Sequence, residues 1–348
     1  IRDDVDVETS SIKINYKGLI KSVEKGSKIS IDNGLLNFKV LAKDNENLKC
    51  RVLDGGTLGS KRHVNLPGVR VDLPSITKKD RKDINLAIKH NVSFIALSFV
   101  RSAKDVLDLR AILKKKKSSA QIIAKIENQE GLDNIHAITQ AADIVMVARG
   151  DLGIETDLAD LPNIQRRIMY ATAKWGRRSI VATHLLESMI NNPTPTRAEV
   201  TDVANAIYEG ADAVMLSGET SVGKFPIQCI KMLKKIALKT EYFRTLGYER
   251  FLNESSDWQN IALGARDLAS RINADGIIII TRSGQTANVV SNTKPFRMPV
   301  HAFTNNNNTY NHLSLVGGIK PYFLKSISNK SLTIKKIKSL LSSSTKSK

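Results

Sequence analysis

Three apolar runs in this chain end in side chains that can do chemistry. The run Ile122-Ile-Ala-Lys125-Ile-Glu127 closes on a lysine and a carboxylate. On a strand, residues two apart share a face, so Lys125 and Glu127 point the same way. Charged groups on the core side of a strand must be solvated, paired or metal-bound. Ile144–Ala148 runs into Arg149, Gly150 and Asp151, and Ser179–Ala182 runs into Thr183. Glu127 and Asp151 are the best metal ligands, since oxygen donors with no cysteine nearby suit Mg²⁺ or Mn²⁺. Two surface carboxylates are the plainer alternative. Lys125 can stabilise a developing anion, or simply pair with Glu127 or Glu130. A short helix starting at Arg149 would offer free N–H groups to a carboxylate or phosphate; a glycine-rich turn is the alternative. Thr183 is a candidate proton relay only through its neighbours. His184 lies beside it without a His/Cys cluster, which fits packing or hydrogen bonding better than zinc. Metal, lysine and anion-binding amides together fit enolate or phosphoryl chemistry.

The elements that position these groups read as three units. Residues 1–68 are β-rich: Ile12–Tyr16 alternates, and Lys28–Asp32 and Leu35–Val40 flank Asn33-Gly34, a hairpin signal. Leu48–Leu53 is a further strand, and no helix period is visible. This unit reads as a small lid. Residues 69–242 alternate helix and strand. Thr77 with Asp80 and Ser102 with Asp105 are helix starts, and strands are expected at Phe94–Val100 and near 122, 144, 179 and 213. Five β/α units in succession make a parallel sheet with right-handed crossovers, whose closed form is an eight-stranded barrel. Residues 243–348 form a second α/β unit with strands at Gly276–Ile280 and Pro299–Phe303 and a polar loop at Asn305–Asn308. Its loop Thr281, Arg282, Ser283, Gly284, Gln285, Thr286 joins a strand to a helix and is a candidate phosphate loop, though it lacks the Lys-Ser/Thr end of a P-loop. The fold class is therefore α/β: five strands of a parallel sheet that would be a partial TIM barrel in its closed form, with a β-rich unit before it and a C-terminal α/β domain. That the first unit is an inserted β lid is what a family resemblance, carried by the motifs below, implies.

The totals exclude several classes. No apolar run approaches the ~20 residues of a membrane span. No signal peptide opens the chain, and two cysteines, Cys50 and Cys229, point to a reducing cytoplasm. The formal charge of +19 invites nucleic acid, yet eleven Lys and Arg and no acid follow Asp275. That end is Lys/Ser-rich and lacks interleaved aromatics for base stacking, so it reads as a solvated tail.

These segments resemble the pyruvate kinase family. Ile122–Leu132 is similar to its active-site signature. Met146–Gly153, Thr183–Met189, Pro195–Ala206 and Met215–Thr220 resemble its barrel motifs, and Gly55–Ser60 and Val64–Gly68 its lid exit. The resemblance implies phosphoryl transfer from phosphoenolpyruvate to ADP, giving pyruvate and ATP in glycolysis. It implies that Lys125 stabilises the transferring phosphoryl and the enolate oxygen, and that Glu127 and Asp151 hold Mg²⁺ or Mn²⁺. Gly150 and Asp151 amides would contact the substrate carboxylate, and Thr183 would lie where the enolate is protonated. Arg2 and Arg62 match nucleotide-contacting positions, and Thr281–Thr286 matches an effector loop for a phosphorylated sugar. A homotetramer is implied too. K⁺ is expected for the family, but its ligands lie on barrel strands that family members carry ahead of Ile1. His63 stands where a glycine is expected, and His184 where a glutamine is. The expectation is thus a partial or degenerate pyruvate kinase whose five strands cannot close a barrel alone. Another metal-enolate barrel, such as an aldolase or lyase, fits the carboxylates but not the lid and C-terminal unit.

Overall fold

The computed structural model describes residues 12–16, 18–71, 73–253, 256–326 and 330–345. The lid is an antiparallel sheet of β1 (Lys28–Ile31), β2 (Leu36–Lys43), β3 (Leu48–Asp54) and β4 (Val64–Asn65), ordered β3-β2-β1-β4. The expected hairpin forms: Asp32, Asn33 and Gly34 take φ of 54°, 56° and 83°, and Ile31 pairs with Leu36. Ile29, Ile31, Phe38, Val40 and Leu48 alternate into one apolar cluster. Two expectations fail here. Ile12–Tyr16 is not a strand of this sheet: Lys13 makes only an isolated bridge, and burying Ile14 in the lid core satisfies the one-sided pattern. A helix does occur, α1 (Leu19–Ser22), too short for a 3.6-residue period to show.

Beyond the lid come β5 (Phe94–Leu97), β6 (Gln121–Ile126), β7 (Ile144–Ala148), β8 (Arg178–Ala182) and β9 (Ala213–Met215), all parallel and in chain order. The helices are α2 (Lys78–Lys89), α3 (Ala103–Lys115), α4 (Gln129–Asp133), α5 (Ile135–Ala141), α6 (Arg149–Glu155), α7 (Leu161–Lys174), α8 (Arg197–Tyr208), α9 (Gly218–Ser221) and α10 (Pro226–Thr240). Capping boxes at Thr77/Asp80 and Ser102/Asp105 start α2 and α3 as the sequence implies. Alternate strand residues divide cleanly. Ile122, Ala124, Val145, Val147 and Val181 pack against the helices, whereas Ile123, Ile144, Met146, Ile180 and Ala182 form a separate inner cluster. Helices on one face and an apolar inner face are the pattern of a barrel arc, not of a doubly wound sheet. β5 and β9 are the outer strands, and neither has a further strand neighbour among the described residues. None of the described helices is long and apolar enough to cross a membrane.

The last sheet is parallel, β10 (Ile277–Ile280), β11 (Val300–Thr304) and β12 (Ile319–Phe323), with α11 (Asp257–Arg271), α12 (Gln285–Asn292), α13 (Asn307–Leu313) and α14 (Lys330–Thr345). The polar loop is shorter than expected, since Asn306 caps α13 by accepting from Thr309 N–H at 3.0 Å. The Lys/Ser-rich end is not a solvated tail over its described part. It forms α14, whose buried Ile337 packs with Phe303 and Leu324. Composition concealed this, because a few apolar residues at helical spacing suffice to dock a mostly polar helix.

Candidate active site at the strand ends

A parallel sheet brings the carboxyl ends of its strands to one edge. Lys125 pairs in register with Met146, and Ala148 with Ala182. Glu127 therefore lies level with Ala148 and Ala182, and Arg149 with Thr183 one residue further on, at the ends of three adjacent strands. Lys125 Nζ lies 2.7 Å from Glu127 Oε1 and donates to Ser98 Oγ at 3.1 Å. Of the two carboxylates the sequence offered Lys125, it pairs with Glu127, while Glu130 lies 3.9 Å from Arg70. Glu127 is 1% exposed, and its Oε2 accepts from Phe99 N–H at 2.6 Å. That contact explains why β5 stops at Leu97 and not at Val100. Phe99 turns to φ 50° and spends its N–H on the carboxylate, and Val100 N–H reaches Lys125 O at 3.3 Å.

β7 passes directly into α6, so Gly150 and Asp151 lie in a first helical turn. Gly150 N–H donates to Thr183 Oγ1 at 2.8 Å, and Thr183 Oγ1 donates to Ala182 O at 2.6 Å. The buried Arg149 reaches across to the carbonyl of Thr183 at 2.7 Å and pairs with Asp202 at 2.7 Å. Burial pushes the Glu155 carboxyl up, and the charge of Asp151 adds to that; hydrogen bonds from Asn65 and the Leu66 N–H oppose it. His184 is exposed, 3.8 Å from Glu187, with no metal-binding group of three or more His, Cys, Asp or Glu among the described residues. Glu127 and Asp151 could supply two hard oxygen donors and no soft ones. Such a donor set fits Mg²⁺ or Mn²⁺, which complete their shells with water and substrate oxygens, and does not fit zinc.

Lys125, Glu127, Gly150, Asp151 and Thr183 thus gather at one edge. Arg62 does not join them directly. It sits in the lid, 3.3 Å from Asp32, and lines a cleft of about 1280 Å³ whose opposite wall includes Ser98, Phe99 and Asn128. Arg2 lies outside the described residues. The loop Thr281–Thr286 belongs to the other parallel sheet, at the end of β10. Thr281 Oγ1 accepts from Gly284 N–H at 3.0 Å, Ser283 Oγ from Gln285 N–H at 3.4 Å, and Thr309 Oγ1 donates to Arg282 O at 2.6 Å. It is a self-capped turn with Gly284 at φ 85°. Sequence reading missed Ser98, Phe99 and Asp202. Only the register of β5 on β6 brings the first two to Lys125 and Glu127, and nothing in the sequence pairs Arg149 with Asp202.

Comparison with known proteins bears on the family and the fold. A family model described as pyruvate kinase, barrel domain, matches residues 3–230, and one described as pyruvate kinase, alpha/beta domain, matches 259–346. The pyruvate kinases of Staphylococcus aureus strains MRSA252 and USA300 are each 41% identical over 329 residues, 93% of this chain and 56% of the relative. The chain spans about half the length of these curated relatives. The crystal structure of a pyruvate kinase from Cryptosporidium parvum matches with a TM-score of 0.89 at 36% identity, over 95% of this chain and 69% of that one. The chain belongs to the pyruvate kinase family.

Proposed function

We propose that the chain carries the glycolytic chemistry of its relatives in the cytoplasm, passing phosphoryl from phosphoenolpyruvate to ADP. The observation that supports this most is the Lys125–Glu127 ion pair, held by Ser98 and Phe99 next to the Gly150–Thr183 contact. An oxygen of the ADP β-phosphate attacks phosphorus, the bond to the enol oxygen breaks, and the enolate takes a proton at its methylene carbon. Lys125 meets the charge moving from phosphoryl to enolate oxygen. Glu127 and Asp151 hold the divalent cation, which supplies charge neutralisation and orientation when bound. The Gly150 and Asp151 amides take the substrate carboxylate, which replaces the Thr183 hydroxyl as acceptor at Gly150. Thr183 stands where the enolate is protonated. Arg62, with Arg2, serves the nucleotide from the lid side of the cleft, and the loop Thr281–Thr286 takes an effector phosphate. Potassium is expected with no ligand assigned. The assembly is a homo-oligomer.

A second reading, a chain that works only with a partner completing the barrel, is favoured by the outer strands β5 and β9, which have no further strand neighbour among the described residues. One experiment separates the two. The purified chain is assayed for pyruvate from phosphoenolpyruvate, ADP, Mg²⁺ and K⁺, alone and mixed with a full-length relative made inactive. Turnover alone, lowered about 1,000-fold or more by Lys125→Met, supports the first reading. Turnover only in the mixture supports the second, and none in either rejects both.

A further inference from the structure

Thr183 and His184 both occupy the left-handed region, at φ 68° and 54°. Side chains rarely adopt that conformation, a β-branched one least of all, so the surroundings must enforce it. The enforcing group is Arg149, which is 8% exposed. Its Nε donates to Ala182 O at 3.3 Å and Thr183 O at 3.2 Å, and one terminal nitrogen donates to Thr183 O at 2.7 Å. The other terminal nitrogen donates to Asp202 Oδ1 on α8 at 2.7 Å and Gln165 Oε1 on α7 at 3.5 Å. Two helices thus fix a planar fork whose other edge grips the strained turn, a task that suits arginine and not lysine.

We infer that Arg149, held by Asp202, is the positioning residue for Thr183. It acts through the Thr183 backbone, fixing the turn from which Thr183 Oγ1 accepts the Gly150 N–H before substrate takes that amide. This rests on the reading of Thr183 as the group beside the enolate carbon. Misplacement by about 1 Å costs a step of this kind on the order of 100-fold.

Deuterium uptake from D₂O into the methyl group of pyruvate, with Mg²⁺ and ATP present, isolates the protonation step. Arg149→Met lowers its rate at saturating pyruvate about 100-fold and shifts KM less than about threefold. Thr183→Ala lowers it too, and the double variant is no slower than Thr183→Ala alone, because the two residues act as a unit. Fully additive losses overturn the proposal. A second readout needs no turnover: amide exchange at Gly150, followed by NMR. Arg149→Met and Thr183→Ala each speed it about tenfold, as loss of one hydrogen bond implies. If Arg149→Met does not fold, Asp202→Asn carries the same comparison. Unchanged Gly150 exchange in a folded variant overturns the proposal even if the chain is inactive. If the wild-type chain takes up no deuterium, faster Gly150 exchange in Arg149→Met leaves the positioning role standing and rejects the proton-transfer reading.

Discussion

Lys125 and Glu127 share one ion pair unequally. Glu127 is 1% exposed at its side chain and Lys125 is 25% exposed. Removing the lysine strands a buried carboxylate with Phe99 N–H as its remaining donor among the described residues, whereas removing the carboxylate leaves an ammonium that reaches water and Ser98. Lys125→Met is therefore expected to cost about 3 kcal/mol in urea unfolding, Glu127→Gln about 1 kcal/mol or less, and the double variant less than Lys125→Met alone. Equal costs for the two single changes would show that the pair is not buried as described. The types at this site were readable before the fold was known, since strand alternation alone put Lys125 and Glu127 on one side. Their partners were not. Ser98 and Phe99 reach them because β5 pairs with β6, and pairing across 27 or 28 residues leaves no local trace in sequence.

At the scale of elements, the clearest joint lies at the amino-terminal ends of β8 and β9. Asp212, just before β9, accepts from Ser179 N–H at 2.9 Å and Gly317 N–H at 3.1 Å, and pairs with Arg178 at 3.3 Å and Lys294 at 3.1 Å. Arg178 also donates to Ser291 at 2.7 Å and to Asn292, so β8 and β9 are bolted to α12. Burial alone would push the Asp212 carboxyl up, but Lys294, Arg178 and the Ser179 N–H more than offset it, and its pKa is lowered. A lowered acid favours the fold wherever it is ionised. The contribution is complete above the ordinary aspartate value of about 3.9 and is lost as pH falls through the depressed one. Docking of the last domain should thus be steady from pH 8 to about 4 and fail below, by hydrogen exchange across α12. Asp212→Asn should loosen it at every pH and flatten the acid limb; an unchanged acid limb would assign it to other groups. Elements with strong local signals, such as the capped α2 and α3 or the hairpin at Asn33-Gly34, were legible from sequence. Those decided by long-range packing were not, as the lost strand at Ile12–Tyr16 and the docked α14 show.

Over the whole molecule, one surface asks for a partner. On α11 the exposed residues Trp258, Ile261, Ala265 and Leu268, with Ile272 at its end, follow a three-four spacing. That spacing suits a two-helix contact, and over fourteen residues it runs about 21 Å. The adjoining face of α11 is already used, with Ala262 buried in the core of β10 and β11. A symmetric contact between two copies would bury this stripe against itself. The net charge of +19 works against such a contact, since each copy repels the next. Salt screens that repulsion and leaves apolar burial intact. Sedimentation equilibrium should therefore show association that strengthens between low and physiological salt. Leu268→Asp and Ile261→Asp should each weaken it by about tenfold or more, because a desolvated charge would sit in the seam. Association that weakens with salt, or that ignores both substitutions, would move the interface away from α11 to a charged surface or to the open strand edges.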